Sequence, residues 1–129
     1  MGYPKAGFSL EQDGTATGYK DGLGIFKDNL VHSVVEPYKS NTTVITAADM
    51  KIKAEAEGSI TFASAADIQL EAPFNLTTPN FAPKTGSPAL TGANFGGDLD
   101  AFFTTTTYRG AVGTTNWLTG WTRFFTNGQ

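Results

Sequence analysis

The sequence contains no cysteine and a single histidine, His32, in 129 residues. The absence of cysteine excludes disulfide bonds, thiolate metal ligands and cysteine nucleophiles. One histidine is also too few for the usual zinc sites, and it is the only candidate base for a serine-based triad. The sequence therefore predicts no cofactor, no metal site and no catalytic residue, and we expect that the chain is not an enzyme.

Basic residues and long apolar runs are also scarce. Nine Lys and Arg residues stand against twelve Asp and Glu residues, which gives a formal net charge of -3. That balance is the opposite of the polybasic surface by which proteins bind nucleic acids. No apolar run approaches the length of about 20 residues that spans a bilayer. The first residues lack the basic-then-apolar pattern of a secretory signal peptide. We therefore expect no nucleic-acid partner and no membrane span.

Apolar and aromatic side chains are abundant instead. The chain is 40% hydrophobic and includes ten Phe, four Tyr and two Trp residues, which is enough for a packed core. Charge thins out after Pro73, where the remaining charged residues are Lys84, Asp98, Asp100, Arg109 and Arg123. We predict one compact unit with two parts. Residues 1–71 hold glycine-rich turns and one helix, and residues 72–129 form an aromatic segment rich in Thr, Gly and Pro.

The clearest helix signal covers residues 47–57. The run AADMKIKAEAE consists of good helix formers. Thr46 and Asp49 have the spacing of a capping box, and Gly58 is a typical C-terminal stop. The helical period predicts a buried face made of Ile45, Ala48, Ile52 and Ala56.

Other local patterns predict short elements. Glycines and two Asp-Gly pairs in residues 11–24 favour a loop or a series of tight turns. Residues 24–35 suggest one or two strands with a bend at Asp28 and Asn29. A single helical turn capped by Ser64 is expected between two brief extended pieces. The extended pieces are predicted at residues 59–62 and 68–70, and a further strand at residues 102–108. No internal repeat is visible in the sequence.

The aromatic segment resembles a known kind of chain end. The stretches FNLTTPNFAPKTGSPALTGANF and FFTTTTYRGAVGTTNWLTGWTRF resemble the C-terminal end of secreted, surface-associated proteins of Bacteroidota-type bacteria. The upstream regions of those proteins look like right-handed parallel β-helices. Residues 79–81 and 86–90 are similar to the loop that closes such solenoids, and residues 108–111 and 116–122 are similar to the terminal tail. The resemblance implies a mainly β fold, namely the last coil or coils and the C-terminal cap of a right-handed parallel β-helix.

The resemblance also implies a function. We expect a non-catalytic structural or interaction module that caps a secreted or cell-surface β-solenoid protein, with the upstream β-helix coils of the parent protein as its partner. The alternative is a carbohydrate-binding or carbohydrate-active module of polysaccharide-lyase type. In that alternative the residues in contact with glycan are Tyr108, Arg109, Trp117 and Trp121.

The two readings differ in what they require of the aromatic side chains. A cap buries them, and we therefore expect the following residues to be mostly buried: Phe102, Tyr108, Trp117, Trp121 and Phe124. A glycan-binding platform needs flat rings on an open face. Burial of both Trp117 and Trp121 would therefore exclude the platform.

Three weaker candidates remain. Asp98 and Asp100 lie on one side of an extended segment and offer oxygen ligands to calcium, as do Asp13 and Asp21 in the N-terminal loop. His32 stands next to Ser33, although adjacent strand residues point to opposite faces. The remaining residues considered for glycan cleavage are Glu36, Glu71, Lys84 and Arg109. For each set we favour a structural role at the surface.

Overall fold

The computed structural model describes residues 6–96 and 102–120. The chain divides into two compact units, Met1–Ala65 and Ala66–Gln129. The first unit contains β1 (Ala6–Leu10), α1 (Asp13–Lys20), β2 (Leu30–Val31), β3 (Glu36–Ser40), α2 (Ala47–Ala56) and β4 (Ile60–Thr61). A 3₁₀ turn (Ala65–Ile68) crosses the division. β5 (Leu70–Ala72), β6 (Asn80–Pro83) and a second 3₁₀ turn (Pro88–Leu90) follow.

The predicted β-helix is wrong. The strands form three separate two-stranded sheets, with β1 parallel to β3, β2 parallel to β4 and β5 antiparallel to β6. The part of the chain that the structure describes contains no solenoid and no closed sheet. Two α-helices lie between the strands of the first unit, and β2 and β4 are only two residues long. Each strand pairs with only one other strand, so the described strands do not build the continuous stacked sheets of a β-helix.

The two parallel sheets share one spacing along the chain. Ala6 pairs with Glu36, and Leu30 pairs with Ile60. Side-chain contacts follow the same offset of 30 residues, as in the bond from the Asn29 amide to Ser59 Oγ. Residues 30 apart in the chain therefore lie side by side in both parallel sheets, although the sequence shows no repeat.

α1 occupies a segment for which we predicted a loop, so that prediction is wrong. Asp13 in the first turn and Lys20 in the last turn have the charges that favour each end of a helix. The helix buries Ala16 and Tyr19 completely or nearly so. Each helical glycine costs about 0.5–1 kcal/mol relative to alanine. The burial of a large aromatic side chain outweighs that cost, because it contributes about 1.5–3 kcal/mol.

The predicted helix at residues 47–57 is confirmed as α2, Ala47–Ala56. Thr46 Oγ1 accepts a hydrogen bond from the Asp49 amide at 3.1 Å and also donates to the Asp49 carboxylate at 2.7 Å. Gly58 follows the helix with φ of +87°, where only glycine is free of strain. The cap and the stop are therefore those that the sequence indicated.

The predicted buried face of α2 is wrong beyond Ile45. Met50 and Ala54, one turn apart, are fully buried, whereas Ile52 is 66% exposed. Ala48 and Ala56 are also exposed. The longer, flexible Met50 side chain fills the interior, and the face that carries Ile52 is turned to solvent.

Aromatic rings form the centre of the first unit. Phe8 stacks on Phe26 with ring centroids 4.0 Å apart, and Tyr19 meets Phe8 edge-on at 5.2 Å. Tyr38 packs edge-on against both phenylalanines. A Cβ atom on Gly7 would lie 2.7 Å from Val31 Cγ1, so the glycine allows β1 to approach β2.

The second unit is built on small residues. Ala82, Ser87 and Ala89 are buried, and Ser87 Oγ donates to the Ile68 carbonyl at 2.6 Å while it accepts from the Ala89 amide at 3.1 Å. The extended piece predicted at residues 59–62 contains β4, and the helical turn predicted after Ser64 is the 3₁₀ turn Ala65–Ile68. The extended piece predicted at residues 68–70 is wrong at Ile68, which belongs to that turn, and β5 begins at Leu70. The strand predicted at 102–108 is wrong, because those residues adopt turns and irregular backbone.

Candidate functional site

Residues 106–117, here called the aromatic loop, pack onto the second 3₁₀ turn through their backbone. The Arg109 amide donates to the Ala89 carbonyl at 2.7 Å. The Ala93 amide donates to the Thr107 carbonyl at 3.2 Å. These bonds fix the start of the loop, which has no regular secondary structure of its own.

The Arg109 side chain also lies against this turn. Its Nε donates to the Thr91 carbonyl at 3.0 Å. A Cβ atom on Gly92, whose φ is +86°, would overlap the guanidinium group. The guanidinium therefore packs flat on glycine backbone, and part of its hydrogen-bonding capacity is used within the protein.

Tyr108 is held by close packing within the loop. A Cβ atom on Gly113 would lie 2.7 Å from Cε1 and 3.0 Å from Cζ of Tyr108. Gly113 is buried and Tyr108 is half-buried. The tyrosine ring therefore covers the backbone at Gly113, and this contact folds the loop back on itself.

Trp117 is oriented by a hydrogen bond but remains open to solvent. Its indole Nε1–H donates to the Ala111 carbonyl at 2.7 Å, and the residue is 50% exposed. The polar atom of the ring is satisfied within the protein, so the exposed part of the side chain is apolar and aromatic. The neighbouring Asn116 Nδ2 lies 3.4 Å from the Pro79 carbonyl, to which it donates.

The predicted burial of the aromatic segment is wrong for two residues. Phe102 is 87% exposed and Trp117 is half exposed. Phe102 meets Phe103 edge-on at 5.1 Å, and Phe103 is also exposed. Trp121 and Phe124 lie outside the described residues.

The aromatic loop is almost uncharged. Arg109 is its only charged residue, and residues 110–120 contain none. Hydroxyl and amide side chains flank Trp117 instead, at Thr114, Thr115, Asn116 and Thr119. The residues next to Trp117 in the chain are therefore neutral and polar.

The structure does not bring the other sequence candidates into one site. Asp13 begins α1 and Asp21 ends it, while Asp98 and Asp100 lie outside the described residues. Among the described residues, no group of three or more His, Asp and Glu side chains has an arrangement that could hold a metal ion.

The residues considered for proton transfer lie in ordinary structural positions. His32 Nδ1 lies 3.2 Å from the Phe62 carbonyl in the first unit. Glu36 begins β3, Glu71 lies in β5, and Lys84 follows β6. Nothing in these positions assigns them a chemical step.

Sequence reasoning identified Tyr108, Arg109 and Trp117 but missed the residues that orient them. Arg109 packs against the backbone of Gly92, and Tyr108 packs against the backbone of Gly113. The Ala111 carbonyl accepts the hydrogen bond that orients the Trp117 indole. The available signal was the spacing of glycines around Tyr108 and Arg109, since close backbone approach requires glycine. Every residue has a backbone carbonyl, so the sequence does not indicate that the Ala111 carbonyl orients Trp117.

Within the described part of the chain, no helix has the length and apolar character needed to cross a bilayer. Comparison of the whole chain with protein-family models, curated proteins and solved structures finds no match.

Proposed function

We propose that this protein is a non-catalytic structural and interaction module whose second unit makes contact with a partner through aromatic side chains. The observation that carries this proposal is the exposed pair of Phe102 and Phe103, at 87% and 48%, whose rings meet edge-on at 5.1 Å, together with the 50% exposure of Trp117. Contiguous exposed apolar surface marks interaction sites, whereas single exposed apolar residues are common on any protein. Resemblance of the aromatic segment to surface-protein termini extends the proposal to a secreted or cell-surface setting.

The side chains of Tyr108, Arg109 and Trp117 are held in place by contacts within the second unit. Arg109 and Tyr108 are packed against glycine backbone, and Trp117 is oriented by the Ala111 carbonyl. Ordering these groups before binding reduces the entropy lost on association. The arrangement favours recognition over catalysis, since Arg109 is the only charged residue among the described residues of the loop.

The test uses the purified chain and a panel of neutral and acidic polysaccharides, with and without calcium. Cleavage is measured by the release of reducing or unsaturated chain ends. Association is measured by affinity electrophoresis for the polysaccharides and by sedimentation velocity for self-association. We expect no cleavage, and we expect association that weakens when Phe102 and Phe103 are both replaced by serine.

The matched control is Phe74→Ser, because Phe74 is a 75% exposed aromatic residue of the same unit that lies outside residues 102–117. This control should associate as the wild type does. Cleavage that disappears on mutation of Lys84 or Arg109 would overturn the proposal in favour of an enzyme. A chain that neither associates with itself nor binds a polysaccharide would also overturn it.

A further inference from the structure

We infer that the aromatic loop binds a neutral polysaccharide, with the exposed face of Trp117 stacked on a sugar ring; this inference rests on the interaction function proposed above. The starting point is the orientation of the indole. Because Nε1–H is bonded to the Ala111 carbonyl at 2.7 Å, the part of the ring that faces solvent presents no polar hydrogen. A flat, half-exposed aromatic surface of this kind matches the C–H-bearing face of a pyranose.

The groups around the ring suit the hydroxyls of a sugar. Thr114, Thr115 and Thr119 are exposed, and each hydroxyl can both donate and accept. Sugar hydroxyls need partners of both kinds when they leave water, because an unpaired polar group is costly to bury. The aromatic loop therefore offers an exposed ring and, close to it in the chain, exposed hydroxyl groups.

The charge of the loop selects a neutral ligand over an acidic one. No charged residue lies between Arg109 and the end of the described segment at residue 120. Arg109 itself donates to the Thr91 carbonyl at 3.0 Å and packs on Gly92. A uronate or sulfated polymer would bring negative charge to a surface that offers it few charge-assisted hydrogen bonds. Neutral glucans, xylans and mannans avoid that mismatch.

The site does not depend on large structural change. The loop is already bonded to the second 3₁₀ turn through the Arg109 amide at 2.7 Å. Asn116, next to the tryptophan, donates to the Pro79 carbonyl at 3.4 Å. A ring held in place loses less rotational freedom when a ligand stacks on it. Replacement of Trp117 should therefore weaken binding more than replacement of another exposed apolar residue.

The experiment is calorimetric titration of the whole chain with soluble cello-, xylo- and manno-oligosaccharides, and with oligogalacturonate and oligoalginate as acidic counterparts. We expect at least one neutral series to bind and the acidic series to bind more weakly. Trp117→Ala should weaken neutral binding by about tenfold or more, whereas Trp117→Phe should retain part of the affinity because a ring remains. Phe74→Ser is the matched control and should bind as the wild type does.

A second measurement covers the case in which Trp117→Ala disturbs the loop. In a chain with Trp121→Phe, Trp117 is the sole indole, because the sequence has two tryptophans. A bound neutral oligosaccharide should protect its fluorescence from acrylamide quenching.

Absence of neutral binding, preference for the acidic series, or wild-type affinity in Trp117→Ala would each overturn the inference. If any of these occurs while the Phe102 and Phe103 serine variant still loses association, the interaction function stands and only its ligand is wrong.

Discussion

Gly113 is the residue on which the shape of the aromatic loop depends most directly. Tyr108 covers its backbone, and the space that a Cβ atom needs is already taken by the tyrosine ring. Tyr108 and Gly113 belong to an irregular segment, so no helix or sheet hydrogen bonds would hold the loop in shape if their contact were lost. The loop should therefore be sensitive to a single added methyl group.

We expect Gly113→Ala to destabilise the second unit by about 1–3 kcal/mol, as overpacking usually does. Urea unfolding followed by tryptophan fluorescence measures this, since both tryptophans lie after residue 66. The matched control is Gly18→Ala in α1, where a Cβ atom meets nothing within 4 Å. Equal unfolding midpoints for wild type and Gly113→Ala would show that Tyr108 does not pack there.

Tyr19 gives the first unit a pH dependence in the alkaline range. Burial raises the pKa of its phenol from 10.0 to about 12, with smaller contributions from Glu57 and Tyr38. The fold therefore favours the neutral phenol, and unfolding releases a proton above the unfolded pKa. This contribution to stability is fully present below pH 10 and is lost as the pH rises towards about 12.

The expected result is a wild-type free energy of unfolding that falls more steeply over that range than the free energy of Tyr19→Phe. Circular dichroism during urea unfolding at a series of alkaline pH values measures both curves. Tyr19→Phe also removes the weak bond from the Tyr19 hydroxyl to the Met50 carbonyl at 3.4 Å, which lowers its stability at every pH. Parallel curves would contradict the assigned pKa shift.

At the scale of elements, α2 and α1 show what local sequence can and cannot predict. α2 carries its own start and stop signals in Thr46, Asp49 and Gly58, so its limits were predictable. α1 has glycines inside it and no capping side chain at Gln12. Its stability comes from Tyr19, which packs on Phe8 from β1, and a tertiary contact of this kind is not visible in a local window.

The buried face of α2 can be tested by two neighbouring substitutions. Met50 is fully buried, and Met50→Ala should cost about 2–5 kcal/mol. Ile52 is 66% exposed, and Ile52→Ala should change stability by no more than about 0.5 kcal/mol. Thermal melts of the two variants provide the comparison. A larger loss for Ile52→Ala than for Met50→Ala would restore the face that the helical period predicted.

At the scale of the whole molecule, the aromatic composition was readable from the sequence but its orientation was not. Seven Phe and two Trp residues after Pro73 predicted a buried tail, yet Phe102 and Trp117 face solvent. The second unit buries small residues such as Ala82 and Ala89 instead. Which side of an irregular segment faces inward depends on contacts between distant residues, and no period of two or 3.6 residues encodes it.

The first unit gives the same lesson for the backbone. β1 pairs with β3 and β2 with β4 at one offset along the chain. Some paired residues are similar, such as Phe8 with Tyr38 and Leu30 with Ile60, and others are not, such as Ala6 with Glu36. So few similar positions do not make a repeat visible in the sequence, and the described residues do not form the β-helix that the resemblance predicted.

The central claim is that Trp117 is held at the surface with its ring facing solvent. Acrylamide quenching of the Trp121→Phe chain tests it most directly, because Trp117 is then the only indole. With half of the residue exposed, we predict red-shifted emission and a quenching constant between the values for a buried and a free indole. Blue-shifted emission with weak quenching in the folded chain would show that the ring is buried, and would contradict both the interaction surface and the glycan site built on it.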